Sequence, residues 1–500
     1  MCYTGACLYE DYTGECTIGN GYFPDDAWCQ LPSEETEYGE KEMYKDKILD
    51  GLADSANVAQ FISYGPDGAQ RFSRVYGHEA NKKFDSMREG IVAILNASPE
   101  HSVNVRSFLP DSPQGNAFHY GITSADTAVE IASKLSAEGF YTIVNETVDV
   151  NDGGVSGVVY GGCVEFAPGV IPRFVEKASD EPVPALPIAE AVEMLSTVYG
   201  VPVNIDFYEL QRVEFSVHPK ARGWKHEHVI VWELGEDGGL VQPFYSWPNS
   251  FSRLIGDKTY GLMMANILGF AVPRTTVYPR NTKIPPFSFG EPTGNNGVWT
   301  RTAPRVQEPG KYTTVRGWSD PFVMMDSDDP ENVALAACLV QDEVASMFSG
   351  AVLTGADGSP IIEAVHGFGD GFMVGENAPV ETIPAKIIDD VTTIHAKLCE
   401  LLGAARFEWA HDGRRAWVLQ LHKGQSESCG RIIYPGNASD WVDFRPEAGL
   451  AVLRSLVADA IKTKSGVRVL GNVGLSSHVC DVLRKAKVPS VMGSKEHTNE

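Results

Sequence analysis

Short segments of strand-type alternation and helix-type periodicity succeed one another along almost all of this 500-residue chain. That mixture restricts the fold to α+β or α/β architectures, in which helices cover the apolar faces of sheets. The length exceeds what one core usually supports, so two or three domains are expected. No run of about 18 apolar residues occurs, which predicts no membrane-spanning helix. The opening MCYTGACLYEDYTGEC has neither a basic nor an apolar segment of the kind a signal peptide needs, so cytoplasmic residence is expected.

Composition narrows the partners. With 41 Lys+Arg against 66 Asp+Glu the net charge is -25, which opposes a broad nucleic-acid surface. A local pair of cations can still hold a polyphosphate in an acidic protein. The nine cysteines are read as thiols or ligands rather than disulfides. Cys2, Cys7, Cys16 and Cys29 lack CxxC spacing; they are free thiols or, together, a zinc site closing a leader over residues 1–40.

Residues 41–245 read as an N-terminal α+β domain. Residues 41–90 read as helical, TSADTAVEIASKLSAEG is a helix with a Ser/Thr/Asp start and a terminal Gly, and VNVRSF, TIVNETVDV, GVVYGGCVEFA, RVEFSVHP and HVIVWEL are strands. The pattern then restarts over 246–430. GDKTYGLMMANILGFAVPRTTVYP gives loop, helix and strand, ENVALAACLVQDEVASMF a helix, GAVLTG and PIIEAV strands, and DDVTTIHAKLCELLG a helix. A small α/β segment closes the chain over 440–500. VNVRSF, DGGVSGVV, VEFSVHP and HVIVWEL occur in the same order as VWTRTA, MFSGAVLT, FEWAHDG and AWVLQL. A duplicated half or two unrelated α+β segments would each produce that echo.

The candidate chemistry lies in the second half. Lys258 sits in the loop GDKTYG before a helix, where ammonium, amides and helix dipole can all face a phosphate. A solvated lysine fits the same residues. Arg301 in VWTRTAP is placed either for bidentate phosphate contacts or for a structural ion pair. In FEWAHDGRRAWVLQL a DG turn joins two strands and sets Glu408 and Gln420 near the ends of neighbours. These are hard oxygen ligands suited to Mg²⁺ carried by ATP, or else surface polar groups. Glu363 precedes the glycine-rich HGFGDG, whose backbone can approach a ligand closely.

Taken in order, GDKTYGLMMANILGFAVPRTTV, TRTAP, LVQDEVASMFSGAVLT, IIEAVHGFGD and FEWAHDGRRAWVLQL resemble the ATP-grasp domain shared by pyruvate phosphate dikinase, phosphoenolpyruvate synthase and rifampicin phosphotransferase. The likeness spans residues 250–424, with Glu408 and Gln420 twelve apart. It implies that Lys258 and Arg301 bind ATP phosphates and act in catalysis, that Glu408 and Gln420 hold magnesium, that Val340 and Gln341 lie near the adenine, and that Glu363 is close to the nucleotide. The segment GLSSHVCDVLRKAKVPSVMG resembles the phosphohistidine domain of the same enzymes and makes His478 the phosphoryl carrier. Two departures stand out: GDK replaces the family's GGK, and no arginine follows Gln420, where LQLHK supplies His422 or Lys423. No stretch supplies the family's large barrel. The expected activity is a dikinase-type phosphotransferase with an unidentified acceptor. The alternatives are an ATP-grasp ligase working through an acyl phosphate, and an inactive ATP-binding protein.

The N-terminal half carries a second polar set on strands and loops: Arg106, Glu146, Asp149, Asp152, Glu165, Arg173, Glu214 and Glu233. It reads either as a second nucleotide or acceptor site or as loop acids and strand-end ion pairs. His226 and His228, two apart on one strand face, are exposed histidines or metal ligands.

Overall fold

The computed structural model describes residues 44–110, 117–172, 175, 183–205, 211–236, 239–280 and 283–493. The four N-terminal cysteines and Arg173 lie outside them. The chain forms two compact units: residues 1–188 with 201–244, and residues 189–200 with 245–500.

Through the first unit the elements are α1 (Lys45–Ser55), β1 (Phe61–Tyr64), β2 (Gln70–Arg74), α2 (Met87–Ala97), β3 (Val103–Phe108), β4 (Phe118–Ile122), α3 (Ala125–Ala137), β5 (Tyr141–Glu146), β6 (Val155–Tyr160), β7 (Cys163–Pro168), β8 (Ala185–Pro187), β9 (Gln211–Arg222) and β10 (Glu227–Glu236); α4 (Ile188–Tyr199), which follows β8 in the chain, belongs to the second unit from residue 189 onward. One five-stranded sheet runs β2-β1-β5-β3-β4 and the other β10-β9-β6-β7-β8, every pairing antiparallel. The helix expected at 125–137 forms because Ser124 accepts the Thr127 amide at its start and Ala128, Ala132 and Leu135 bury one face. The helical reading of 41–90 holds only for α1 and the start of α2. Between them, Phe61–Tyr64 is buried at every position and turns through GPDG into β2. The apolar run is too short for a helix and its turn residues close a hairpin.

The second unit holds α5 (Ser250–Ile255), α6 (Asp257–Ile267), β11 (Thr275–Pro279), β12 (Phe287–Phe289), β13 (Val298–Pro304), β14 (Thr314–Arg316), α7 (Pro321–Asp328), β15 (Leu335–Asp342), β16 (Phe348–Thr354), β17 (Pro360–His366), α8 (Asp370–Met373), α9 (Ala385–Leu402), β18 (Ala405–His411), β19 (Ala416–Lys423), β20 (Ile432–Tyr434), β21 (Trp441–Phe444), α10 (Gly449–Thr463), β22 (Gly466–Val469), α11 (His478–Lys485) and β23 (Ser490–Met492). Its antiparallel sheets run β12-β11-β15-β13-β14 and β17-β16-β18-β19. The expected helix at ENVALAACLVQDEVASMF is a correction: Leu335–Asp342 is the central strand of its sheet. Helix-forming alanines are overridden there because Leu335–Leu339 are all buried, between β11 on one side and β13 on the other.

In the closing segment β21, β22 and β23 are parallel neighbours, with β20 antiparallel at the edge. Between successive parallel strands lie α10 and α11, whose Leu453, Val457, Val479 and Leu483 join Val467 and Val469 in one core. This is the small α/β layer the sequence predicts. Among the described residues no helix is long and apolar enough to cross a membrane.

Candidate active site

The second unit encloses a cavity of about 320 Å³, and its walls are built from strand alternation. On β13 and β15, Trp299 lies opposite Gln341 and Arg301 opposite Leu339, so Trp299, Arg301 and Gln341 share one face. Glu408 and Gln420 face each other directly across β18 and β19. Gly256, at φ +95°, lets the chain leave α5 and start α6 at once, which carries Lys258 onto the same wall. Lys258, Arg301, Gln341, Glu408, Gln420 and His478 all line this cavity. The glycine-rich run adds Phe368, Gly369 and Asp370.

Four side-chain atoms of its lining residues are buried without a hydrogen-bond partner: Arg301 Nε, Gln341 Oε1, Trp409 Nε1 and His478 Nδ1. The rest of Arg301 is tied only loosely, Nη1 reaching the Leu419 carbonyl at 3.4 Å. Buried guanidinium and amide groups rarely stay orphaned unless something else supplies the partner. Lys258 Nζ donates to the Thr302 carbonyl at 3.2 Å. Burial pushes its ammonium down to about 8, with Arg301 repelling it further and Glu408 and Asp257 opposing the shift. Burial likewise lowers Arg301, against the attraction of Glu408.

A bound phosphate would favour protonated Lys258. Its folded-state pKa is depressed, so the cation is present below about 8 and is lost as pH rises through that value. Triphosphate affinity is therefore expected to fall above pH 8, with proton uptake on binding near pH 8.5. Calorimetry in buffers of different ionisation enthalpy measures that uptake, and Lys258→Met should abolish it. An identical uptake in both proteins would contradict the assignment.

The two departures from the resembled family touch one another. Asp257, in place of a glycine, accepts from Trp247 Nε1 at 2.7 Å and lies 3.0 Å from His422 Nδ1. Burial raises Asp257, but His422, Trp247 and Lys258 outweigh it and hold the carboxyl below its usual range. The other imidazole nitrogen, Nε2, meets the Gln420 amide. In the tautomer whose Nδ1–H donates to the Asp257 carboxylate, Nε2 accepts from the Gln420 NH₂, and the Gln420 oxygen is left to ligate a cation. Lys423 does not share this role; it donates to the Tyr245 carbonyl at 2.8 Å. His422→Ala is expected to weaken Mg²⁺ binding ~10- to 100-fold, as loss of an orienting partner does. Titration of the metal at fixed nucleotide would show it, and an unaltered metal affinity would rule the role out.

Other expected residues fall elsewhere. Val340 pairs with Thr276 and Thr300 and, by alternation, faces away from Gln341. Glu363, expected close to the nucleotide, is instead used by the closing segment. Its carboxylate accepts the Leu475 and Ser476 amides at 2.8 Å and the Ser476 hydroxyl at 2.6 Å. Those bonds fix the turn that begins α11. His478 is the first residue of that helix, with Nδ1 3.6 Å from Asp481. Asp481 is clamped by Arg406 at 2.5 and 2.7 Å and by Arg484 at 2.6 Å. Arg406 stands two residues before Glu408 on β18, so this clamp holds the histidine helix against the cavity strand. Nothing in the sequence pairs Arg406 with Asp481 across 75 residues.

In the first unit, Glu146 is fully buried and accepts from the Gln60 and Gly223 amides. Asp152 bridges Arg222 at 2.7 Å and His218 at 2.9 Å. These acids serve the core of that unit, while Asp149 accepts the Asn151 amide in a loop. His226 stacks on Tyr76 and His228 bonds the His218 carbonyl, so the pair does not converge. No group of three or more His, Cys, Asp or Glu suited to a metal occurs among the described residues.

No family model and no curated protein matches the chain, so the resemblance to the dikinases finds no counterpart there. Among solved structures, similar ones include the macrocyclase MdnB from Microcystis aeruginosa MRC, at 13% identity and TM-score 0.21 over 35% of this chain and 55% of that one. D-Alanine-D-alanine ligase from Helicobacter pylori matches at 8% identity and TM-score 0.24, over 35% and 52%. A RimK domain protein ATP-grasp from Sphaerobacter thermophilus matches at 14% identity and TM-score 0.21, over 34% and 58%. The chain thus spans little more than half the length of these structures.

Proposed function

We propose that the chain is an ATP-dependent enzyme whose second unit binds ATP with Mg²⁺ in an ATP-grasp-like arrangement. The observation that carries this reading is the convergence of Lys258, Arg301, Glu408 and Gln420 on one cavity, with Arg301 Nε and Gln341 Oε1 buried there and unpartnered. Lys258 and Arg301 bind phosphate oxygens, and Glu408 with the Gln420 oxygen holds the cation. Mg²⁺ would neutralise phosphate charge as the transferred group departs. Trp299, Val344, Phe372 and Met373 supply an apolar wall for the base.

Two phosphoryl acceptors fit such a site. A bound carboxylate would give an acyl phosphate and ADP, the course of a ligase. Ligases of this kind are among the similar structures by name. The second acceptor is His478, favoured by its place on the cavity wall at a helix N-terminus, where a phosphate gains from the dipole. Attack of its imidazole on the β-phosphorus would break the α–β bridge, release AMP and leave a pyrophosphoryl group on the histidine, from which water would release phosphate to give phosphohistidine.

The nucleotide product decides between them. After incubation with Mg²⁺ and β-phosphate-labelled ATP, AMP with acid-labile label that disappears in His478→Ala identifies the histidine relay. ADP without enzyme-bound label identifies the ligase course. Bound ATP that yields neither product, with candidate carboxylates present, would leave an ATP-binding protein rather than an enzyme.

A further inference from the structure

The two units follow one path. In the first, β1–β5 form a sheet ordered β2-β1-β5-β3-β4; in the second, β11–β15 form a sheet ordered β12-β11-β15-β13-β14. Replacing each strand by its counterpart converts one order into the other, and all four pairings are antiparallel in both. In the remaining sheets, β7-β6-β9-β10 corresponds to β17-β16-β18-β19. A helix separates the fourth and fifth strands of each unit, α3 in one and α7 in the other.

The correspondence extends to single residues. Across β6, β7, β9 and β10, Val158 pairs with Glu165 and with Glu214, and Glu214 pairs with Glu233. Across β16–β19, Ala351 pairs with Glu363 and with Glu408, and Glu408 pairs with Gln420. Each ladder then slips by one residue on its last strand. Phe215 pairs with Val231, passing over Trp232, and Trp409 pairs with Val418, passing over Leu419. A bulge at the same step of two hairpins is a positional device and does not arise from general strand geometry. Gly157 lies opposite Phe215 as Gly350 lies opposite Trp409. In the other sheet, Asn104 pairs with Asn145 and Arg106 with Ile143, as Trp299 pairs with Gln341 and Arg301 with Leu339.

Arg106, Glu214 and Glu233 therefore occupy the places of Arg301, Glu408 and Gln420. Two cavities border Arg106, one of them lined also by Glu233, while Glu214 lies on the neighbouring strand and lines neither. One, of about 250 Å³, is lined by Lys45, Arg106 and Glu233, so a lysine at the start of a helix lines it as Lys258 lines the cavity of the second unit, although α1 packs on β2 and α6 on β19 and β13. The other, of about 70 Å³, is lined by Asn104, Arg106, Asn145 and Glu146, the counterparts of Trp299, Arg301, Gln341 and Asp342. Leu49, Arg106 and Trp232 line both cavities and form the partition between them.

We infer that the first unit is a second copy of the grasp-like module and carries its own site for a nucleoside polyphosphate with a divalent cation, at Lys45, Arg106, Glu214 and Glu233. The inference rests on the nucleotide reading of the second unit. Two differences tune the copy. Glu233 replaces Gln420, which gives the cation two carboxylates instead of one carboxylate and an amide. Arg212 donates to Glu214 at 2.6 Å and competes with that cation, whereas its counterpart Arg406 is drawn away to Asp481.

The test is equilibrium binding of the β,γ-imido analogue of ATP, with Mg²⁺, to the full chain and to Arg106→Ala and Arg301→Ala. Two sites are expected in the parent chain, one in each variant. A single site lost in Arg301→Ala and untouched by Arg106→Ala overturns this inference and leaves the proposed function standing. A single site lost only in Arg106→Ala does the reverse, and no binding overturns both. Photolabelling of the unaltered chain with 8-azido-ATP removes any dependence on variant folding. Labelled peptides are expected within residues 104–150 or 214–236 as well as 299–420, and label confined to 299–420 overturns the second site.

Discussion

Arg301→Ala is expected to lower the affinity of the second unit for ATP ~10- to 100-fold, the range for losing a hydrogen bond to a charged group in a buried site. Arg301 is 8% exposed, and its Nε has no partner in the protein. The substitution has a second consequence. Arg301 pushes the Lys258 ammonium down, so removing it should move Lys258 up from about 8 and carry the alkaline fall in affinity to higher pH. Calorimetric titration of the analogue across pH 7–9.5 reads both effects. Unchanged affinity with an intact circular dichroism spectrum would remove Arg301 from the site.

Asp481→Ala should be the most damaging single substitution in the closing segment. Asp481 is 2% exposed and binds both Arg406 and Arg484. Removing it leaves two guanidinium groups without their anion, a change that costs about 3–5 kcal/mol in buried pairs. Burial alone would raise this carboxyl, yet Arg406, Arg484 and His478 hold it well below its usual value of 3.8. The folded-state pKa is depressed, so the stabilisation is complete above about 4 and disappears as acid protonates the group. Hydrogen exchange of the parent chain and the variant at neutral pH provides the measurement. Amides of α11 should exchange ~100-fold faster or more in Asp481→Ala, since each 1.4 kcal/mol is a factor of ten. Unaltered protection of α11 would mean that the clamp carries no load. A second readout is the cavity, because releasing α11 withdraws His478 from its wall.

Much of this was legible in the chain. The hairpin FEWAHDGRRAWVLQL reads as two strands around a DG turn that carry Glu408 and Gln420 on neighbours, but a regular ladder would set Leu419 opposite Glu408, and only the bulge after Trp409 brings Gln420 there. Lys258 and Arg301 were recognisable as cations at a helix start and within a strand. What escaped were features set by tertiary burial. β15 is rich in alanine and reads as helix; its position between two neighbours decides otherwise. Glu363 reads as a strand-end acid beside a glycine run, but the amides that claim it belong to residues 475 and 476. Asp257 and His422 each look like a loss when compared with the family pattern. Only their contact shows that one accounts for the other. The internal echo lay in order rather than identity, and strand register was required to see which residues correspond.

A chain that traces one strand path twice faces a hazard while it folds. β5 and β15 are both central strands that accept the same kinds of neighbour in the same direction, so each is a competent wrong partner for the other half's edges. Cross-pairing between copies is a common misassembly route in tandem proteins. In the register that matches Asn145 to Gln341, TIVNE corresponds to CLVQD, and the two share only Val144 and Val340. Divergence between the halves therefore protects assembly as well as separating their chemistry. A variant that made the two central strands alike would be the one most prone to exchange them.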